Sequence, residues 1–152
     1  MDIITDATIS TGIYRLILAM LLGMVIGIER ELNRKPAGLR TNSLICIGAA
    51  LFSFVSLTLT QTWGGDPGRI AAQIVTGVGF IGAGVILFDR SENRIRGITT
   101  AADIWVVAAI GTAIGLGFEL LGVIATILAL LVMVPGRAID KYIAKKYGKR
   151  EY

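Results

Sequence analysis

Asp103 is the most demanding residue in this sequence, because it lies in a run of otherwise uncharged residues from about Thr100 to Phe118. A carboxylate within a bilayer-spanning segment costs roughly 2.5 to 3.5 kcal/mol on insertion scales and therefore needs a partner. Two arrangements meet that need. Asp103 can meet Arg30 or Arg40 from the preceding polar link and form a buried network lining a polar crevice. Alternatively, Thr100-x-x-Asp103 has the form of a capping box, in which the carboxylate accepts backbone N–H bonds in the first helical turn. A second group of polar residues, Arg15, Asp66, Arg69 and Glu119, falls at the other ends of the apolar runs, and Gln73 follows Arg69 by one helical turn. These are either a second polar cluster or ordinary charged helix termini. With Thr76, a Gln73 that faces other helices would mark a pathway.

Other chemistry is excluded or poorly supported. The chain has no His and a single Cys, Cys46, so it can form no internal disulfide and cannot build the Cys/His sites that hold zinc or iron–sulfur clusters. Cys46 sits in an apolar run where a thiolate is disfavoured, and no nucleophile or acid–base set is visible. No catalytic residue is assigned, and no enzyme activity is expected. Gly77-Val-Gly-Phe-Ile-Gly82 spells GxGxxG with Asp103 21 residues further on. That fingerprint works at a strand-to-helix turn, whereas these glycines sit mid-helix, so no dinucleotide is expected. Magnesium needs hard oxygen ligands, for which Asp66 with Glu119, or Glu29 with Glu31, are the available carboxylate pairs. Neighbouring Arg and Lys oppose cation binding at both. No metal or cofactor is assigned, and Asp66 with Glu119 are the candidate residues were magnesium to associate.

The elements that must position these residues follow from composition. The chain has 152 residues, of which 54% are hydrophobic, 17% charged and 19 are Gly, with a mean hydropathy of +0.71. Soluble domains carry about 25% charge, so this is not a soluble enzyme. Charges gather in short clusters between apolar runs of spanning length. The expected fold is an all-α membrane bundle of five transmembrane helices over residues 9–29, 41–63, 67–88, 100–118 and 120–134. Together these make one domain over 1–136. Pro36 and Gly38 stop the first helix, Pro67 opens the third behind an N-cap at Asp66, the cluster Asp89 to Gly97 ends it, and Pro135 with Gly136 closes the fifth. Residues 137–152 form a basic amphipathic tail, with Ile139, Tyr142, Ile143 and Tyr147 on one face and Arg137, Lys141, Lys145 and Lys149 on another, suited to anionic lipid. Asp2 and Asp6 stand where a signal peptide would be basic, so the first span is expected to remain.

Thirteen of the fifteen Lys and Arg residues fall on one side of a five-span chain, which places the amino end outside and the carboxyl end in the cytoplasm. Small residues prepare close helix contacts: Gly23 and Gly27 in the first span, Gly77, Gly79, Gly82 and Gly84 in the third, and Gly111 and Gly115 in the fourth. They serve packing within the chain or self-association into a homo-oligomer. Nucleic acid is not an expected partner, because the basic charge lies beside the membrane and no groove with stacking aromatics is apparent.

Five segments carry a family resemblance: Gly27-Ile-Glu-Arg-Glu31, Lys35-Pro-Ala-Gly-Leu-Arg-Thr41, Asp66-Pro-Gly-Arg-Ile-Ala-Ala-Gln73, Gly77-Val-Gly-Phe-Ile-Gly-Ala-Gly84 and Arg96-Gly-Ile-Thr-Thr-Ala-Ala-Asp-Ile-Trp105. In this order the chain resembles the amino-terminal membrane domain of the MgtC/SapB proteins, standing alone without the soluble domain of longer members. The resemblance implies a bacterial inner-membrane protein of magnesium homeostasis. It makes Glu29, Arg30, Arg40, Asp66, Arg69, Gln73, Thr99, Thr100 and Trp105 motif positions, to which Asp103 joins the polar network. Two departures stand out: Asn42 occupies a position where relatives often have His, and Asp103 one where they often have a small or hydroxyl residue. The expected role is a helix-docking regulatory or interaction subunit, whose partner is a membrane ATPase or another transmembrane protein. A small magnesium or ion channel, or a secondary transporter formed by an oligomer, is the alternative.

Overall fold

The computed structural model describes residues 6–66, 68–89 and 94–147. Five helices account for nearly all of them: α1 Asp6–Leu32, α2 Leu39–Trp63, α3 Gly68–Val85, α4 Ile98–Leu116 and α5 Glu119–Tyr147. Each contains a segment long and apolar enough to cross a membrane, from 18 residues in α3 to 25 in α1 and α2. Eighteen residues rise about 27 Å, close to the ~30 Å hydrocarbon core. The fold is the expected integral membrane bundle.

Helices α1, α2 and α4 form an inner trio, and glycines decide how closely they approach. A Cβ added at Gly23 would lie 2.8 Å from the Asn42 carbonyl oxygen, and one at Gly27 would lie 2.5 Å from the Leu39 Cα, both on α2. On the opposite flank, a Cβ at Gly111 or Gly115 of α4 would strike the carbonyls of Cys46 and Ala50. With side chains removed at these crossings, backbones meet directly and dispersion contacts hold the helices. The axis between them is sealed by Ala19, Ile26, Cys46, Ala50, Val107, Ile110 and Ile114, all fully buried. Helix α3 rests on α4 over Val78, Ile104 and Ala108, with Gly82 in ordinary contact with Ala101. Helix α5 lies along α4 and α1 and leaves a face of Leu and Ile side chains, including Leu120, Leu121, Ile124, Ile127, Leu128 and Leu131, to the lipid.

Several boundaries differ from expectation. The third span ends at Val85, not at residue 88, because Leu87–Asp89 (β1) pairs with Arg94–Arg96 (β2) in a short antiparallel hairpin. The reversal continues through Gly97, whose φ of 94° is left-handed and whose missing side chain accommodates the Val85 carbonyl. Helix α4 therefore starts at Ile98, two residues before the expected point. Pro135 and Gly136 do not close the fifth helix. It runs through Pro135 to Tyr147, so the expected tail is its extension. A proline removes one N–H and crowds one carbonyl, and a helix carrying a strong amphipathic continuation can absorb that loss. In the extension Ile139 and Tyr142 are exposed, and the Lys146 ammonium stands 6.0 Å from the Tyr142 ring centre. The expected first helical residue Pro67 and the tail beyond 147 lie outside the described residues, as do the side chains of Arg137, Lys141 and Tyr147.

Candidate functional site

At the end of the bundle where α1 turns into α2, the inner trio converges on a sealed polar cluster. Arg30 is 2% exposed, Asn42 0%, Thr100 3% and Asp103 7%, and they come from α1, α2 and α4. Helix periodicity selects them. Arg30 is one turn from Ile26 and two from Gly23, so it continues the inner face of α1, and Asn42 likewise continues the Cys46 and Ala49 face of α2. The Arg30 Nη2 donates to Thr100 Oγ1 at 2.7 Å and to the Pro36 carbonyl at 3.4 Å. Its Nε lies 3.3 Å from Asp103 Oδ2, a charge pair whose side chains are almost wholly withdrawn from solvent. The Asn42 side chain lies against the Asp103 carboxylate, while its Nδ2 donates to the carbonyls of Ala37 at 2.5 Å and Gly38 at 3.1 Å.

These contacts fix the polar link as well as the helices. Arg34 and Ala37 both hold left-handed φ values, 51° and 55°, a conformation that costs an L-residue about 1–2 kcal/mol. The Asn42 amide on the Ala37 carbonyl and the backbone bond from Lys35 N–H to the Arg30 carbonyl, 3.0 Å, hold that geometry in place. Glu31 closes the link from outside: its Oε2 accepts the Leu39 N–H at 3.3 Å and so satisfies an amide at the start of α2, where Gly38 supplies no side-chain cap. Glu29 turns inward on the other side of α1 and is buried, with Asn33 donating to its carbonyl at 2.6 Å. Glu29 and Glu31 therefore point to different surroundings and do not form a chelating pair.

The two arrangements open to Asp103 are now distinguished. With α4 starting at Ile98 behind Gly97, Asp103 is in its second turn, and Thr100 is engaged by Arg30, so the capping box does not form. Of the two arginines, Arg30 is the partner. Arg40 is exposed and stands outside the cluster, as does Thr99. Asn42 is the member that spacing alone did not single out. The signal for it was an amide at the start of an apolar span, four residues before Cys46 and on the same helix face.

The opposite end of the bundle divides the remaining polar residues. Arg15 Nε bonds Glu119 Oε1 at 2.9 Å, its Nη1 donates to the Gly115 carbonyl at 3.1 Å, and its guanidinium lies 5.8 Å from the Phe54 ring centre. Asp66, Arg69 and Gln73 do not join this pair. They are exposed and line a separate cleft between the end of α2 and the start of α3. There Asp66 Oδ1 accepts the Gly68 N–H at 2.8 Å, and Asp66 and Glu119 share no site. Among the described residues, no group of three carboxylate or thiol side chains converges on a point that could hold a metal ion.

The glycines also divide. Gly23, Gly27, Gly111 and Gly115 serve contacts within the chain, whereas a methyl group placed on Gly77, Gly79 or Gly84 would meet no atom within 4 Å, so these three face open surface. Trp105 is half exposed between α3 and α4.

Comparison with known proteins finds relatives of the chain. The model of the MgtC family matches residues 16–142. A protein named Putative magnesium transporter YhiD from Escherichia coli (strain K12) is 55% identical over 128 residues, covering 80% of this chain and 58% of that one. Protein MgtC from Salmonella typhimurium (strain LT2) is 50% identical over 144 residues, covering 92% and 60%. An uncharacterized protein from Haemophilus influenzae is 40% identical over 143 residues, covering 90% and 60%. The chain thus spans about three fifths of the length of these relatives. No solved structure matches it.

Proposed function

Because the chain belongs to the MgtC family, we propose that it serves magnesium homeostasis in a bacterial inner membrane as a regulatory or interaction subunit that docks other transmembrane helices. The observation that carries this reading is the sealed axis of the inner trio. Between the Arg30–Asp103 cluster at one end and Arg15–Glu119 at the other lie Ala19, Ile26, Cys46, Ala50, Val107, Ile110 and Ile114, an apolar plug, with the buried polar Ser43, Ser53 and Ser56 of α2 before and after Cys46 and Ala50 in sequence. An ion crossing there would lose its hydration without replacement ligands from the plug. Surface for docking, in contrast, is plentiful. The outward face of α5 and the open glycines Gly79 and Gly84 of α3 let a neighbouring helix, from a second copy or a membrane ATPase, approach closely.

In this reading the amino end is outside and the basic ends, including the Arg30 cluster, face the cytoplasm. That cluster holds the α1–α2 link and α4 in one geometry, so that the cytoplasmic face presents a fixed shape. The name of the Escherichia coli relative makes a transporter the competing reading, and an oligomer would have to supply its path. Two measurements on the same protein separate them. The chain should restore growth in limiting magnesium to a host lacking its own relative, and in liposomes it should move neither magnesium nor protons. Ion flux that disappears in Asp103→Asn would overturn the docking role.

A further inference from the structure

The cleft at Asp66 and Arg69 is one end of a longer feature. It has a volume of about 490 Å³ and is lined by Thr60, Trp63, Asp66, Arg69 and Gln73, among others. Ile70 and Gln73 also line a second void of about 500 Å³ that runs between α2 and α3. The second void is apolar: its walls are Leu44, Gly48 and Phe52 on one side and Gly77 and Ile81 on the other. Gly48 and Gly77 are bare, with nothing within 4 Å of where a Cβ would stand, so the trough is open along its length. A polar mouth bearing both signs of charge thus continues directly into an apolar trough that is open to the bilayer.

We infer that this is a binding site for one phospholipid with a zwitterionic headgroup that carries a primary ammonium, its acyl chain in the α2–α3 trough and its headgroup at Asp66 and Arg69. Charge complementarity selects the occupant. Arg69 is exposed and makes no ion pair among the described residues, and a guanidinium matches a phosphodiester through paired N–H donors. Asp66 uses Oδ1 on the Gly68 amide, which leaves Oδ2 to accept an ammonium three residues away from the phosphate ligand. An anionic headgroup would satisfy Arg69 and be repelled by Asp66. A quaternary ammonium would reach the carboxylate with no N–H to donate. Trp63 at the rim is the residue type that settles at headgroup depth. The site is independent of docking at Gly79, which lies on the face of α3 away from Gly77, whereas Gly84, two turns beyond Gly77, shares the flank of the trough.

The test is lipid retention. The full chain is reconstituted in bilayers of equal parts phosphatidylethanolamine, phosphatidylglycerol and phosphatidylcholine, extracted in mild detergent, and weighed intact by native mass spectrometry. The wild-type chain should keep one phosphatidylethanolamine in preference to the other two. Arg69→Gln should lower retention of every phospholipid about tenfold, the loss of a charge-assisted bond. Asp66→Asn should retain lipid without preference among headgroups. Gly77→Leu, whose Cβ has open space around it, should fill the trough and abolish the adduct without loss of thermal stability. Equal adducts of all three lipids on the wild-type chain, or an adduct that survives Gly77→Leu, would overturn the assignment. So would disulfide-linked dimers from Gly77→Cys in a Cys46→Ser background, since the trough would then hold a second copy.

Discussion

The inner trio and the two outer helices use the same residue types to different ends. In the trio, Gly23, Gly27, Gly111 and Gly115 lie under a neighbouring backbone, and the Arg30–Asp103 pair is sealed from solvent. In α3 the glycines Gly77, Gly79 and Gly84 face open surface, and the ion pair that reaches α5, Arg15–Glu119, is partly exposed, with 16% and 30% of its side chains accessible against 2% and 3% for Arg30–Asp103. A residue's type does not set its worth here; what it is pressed against does. The trio is a frame, and α3 and α5 are surfaces mounted on it.

The sharpest way to break that comparison is to put bulk where the frame has none. Gly111→Leu would drive its side chain into the Cys46 carbonyl and Ala49. The carbonyl cannot yield, because it is part of the α2 backbone where α2 and α4 cross. Ordinary overpacking costs about 1–3 kcal/mol, and a clash with backbone should exceed that range and prevent the fold. The expected result is no monodisperse protein in mild detergent. A well-behaved Gly111→Leu chain with normal helicity would show that α2 and α4 are not in fixed contact.

Next in size is the buried pair. Arg30→Met leaves the Asp103 carboxylate uncompensated in a sealed site, and removing one partner of such a pair destabilises by about 3–5 kcal/mol. The double variant Arg30→Met/Asp103→Leu removes both charges and should recover most of that loss, because the pair's Coulomb attraction mainly offsets its own desolvation. Unfolding in graded denaturing detergent, followed by circular dichroism, measures both. If the double variant is as unstable as the single one, the hydrogen bonds to Thr100 and Pro36 hold the frame, and the charge pair is secondary.

How much of this was legible beforehand differs between helices and contacts. The five spans follow from apolar length and charge clustering alone, because a bilayer leaves few alternatives for such segments. That Asp103 needs a partner was equally legible. The choice of Arg30 over Arg40 was not, since it depends on α1 running on to Leu32 and carrying Arg30 round to the face of Ile26. Asn42 stood out only as a family departure, and its place in the cluster stayed hidden for the same reason: its burial depends on where α2 begins. The hairpin at Leu87–Asp89 has three residues per strand and no period to read, so it merged with the apolar run before it. At Pro135, local stop signals were outweighed by the amphipathic continuation to Tyr147.

The outer ion pair should respond far less than the inner one. Glu119→Gln removes a charge from a partly exposed site, where such pairs are worth about 0–1 kcal/mol. Arg15 keeps its bond to the Gly115 carbonyl and its place beside Phe54, so it is not left without a neighbour. The same unfolding experiment should show a shift of under about 1 kcal/mol, reduced further in high salt. A loss as large as that of Arg30→Met would mean that α5 belongs to the frame and that the trio is really a four-helix unit.

The smallest stability effect and the most telling functional one are expected at Gly79. A Cβ there meets no atom within 4 Å in the isolated chain, so Gly79→Leu should cause no loss of stability, helix propensity favouring leucine over glycine. If α3 is a docking surface, the same leucine stands between it and the approaching helix, where small residues allow the closest contact. Growth in limiting magnesium should then fall while the amount and stability of the protein in the membrane stay normal. Gly79→Ala, which adds one methyl, should fall between the two. Normal growth for Gly79→Leu would move the docking surface to α5, where bulky substitution at Leu128 becomes the corresponding test.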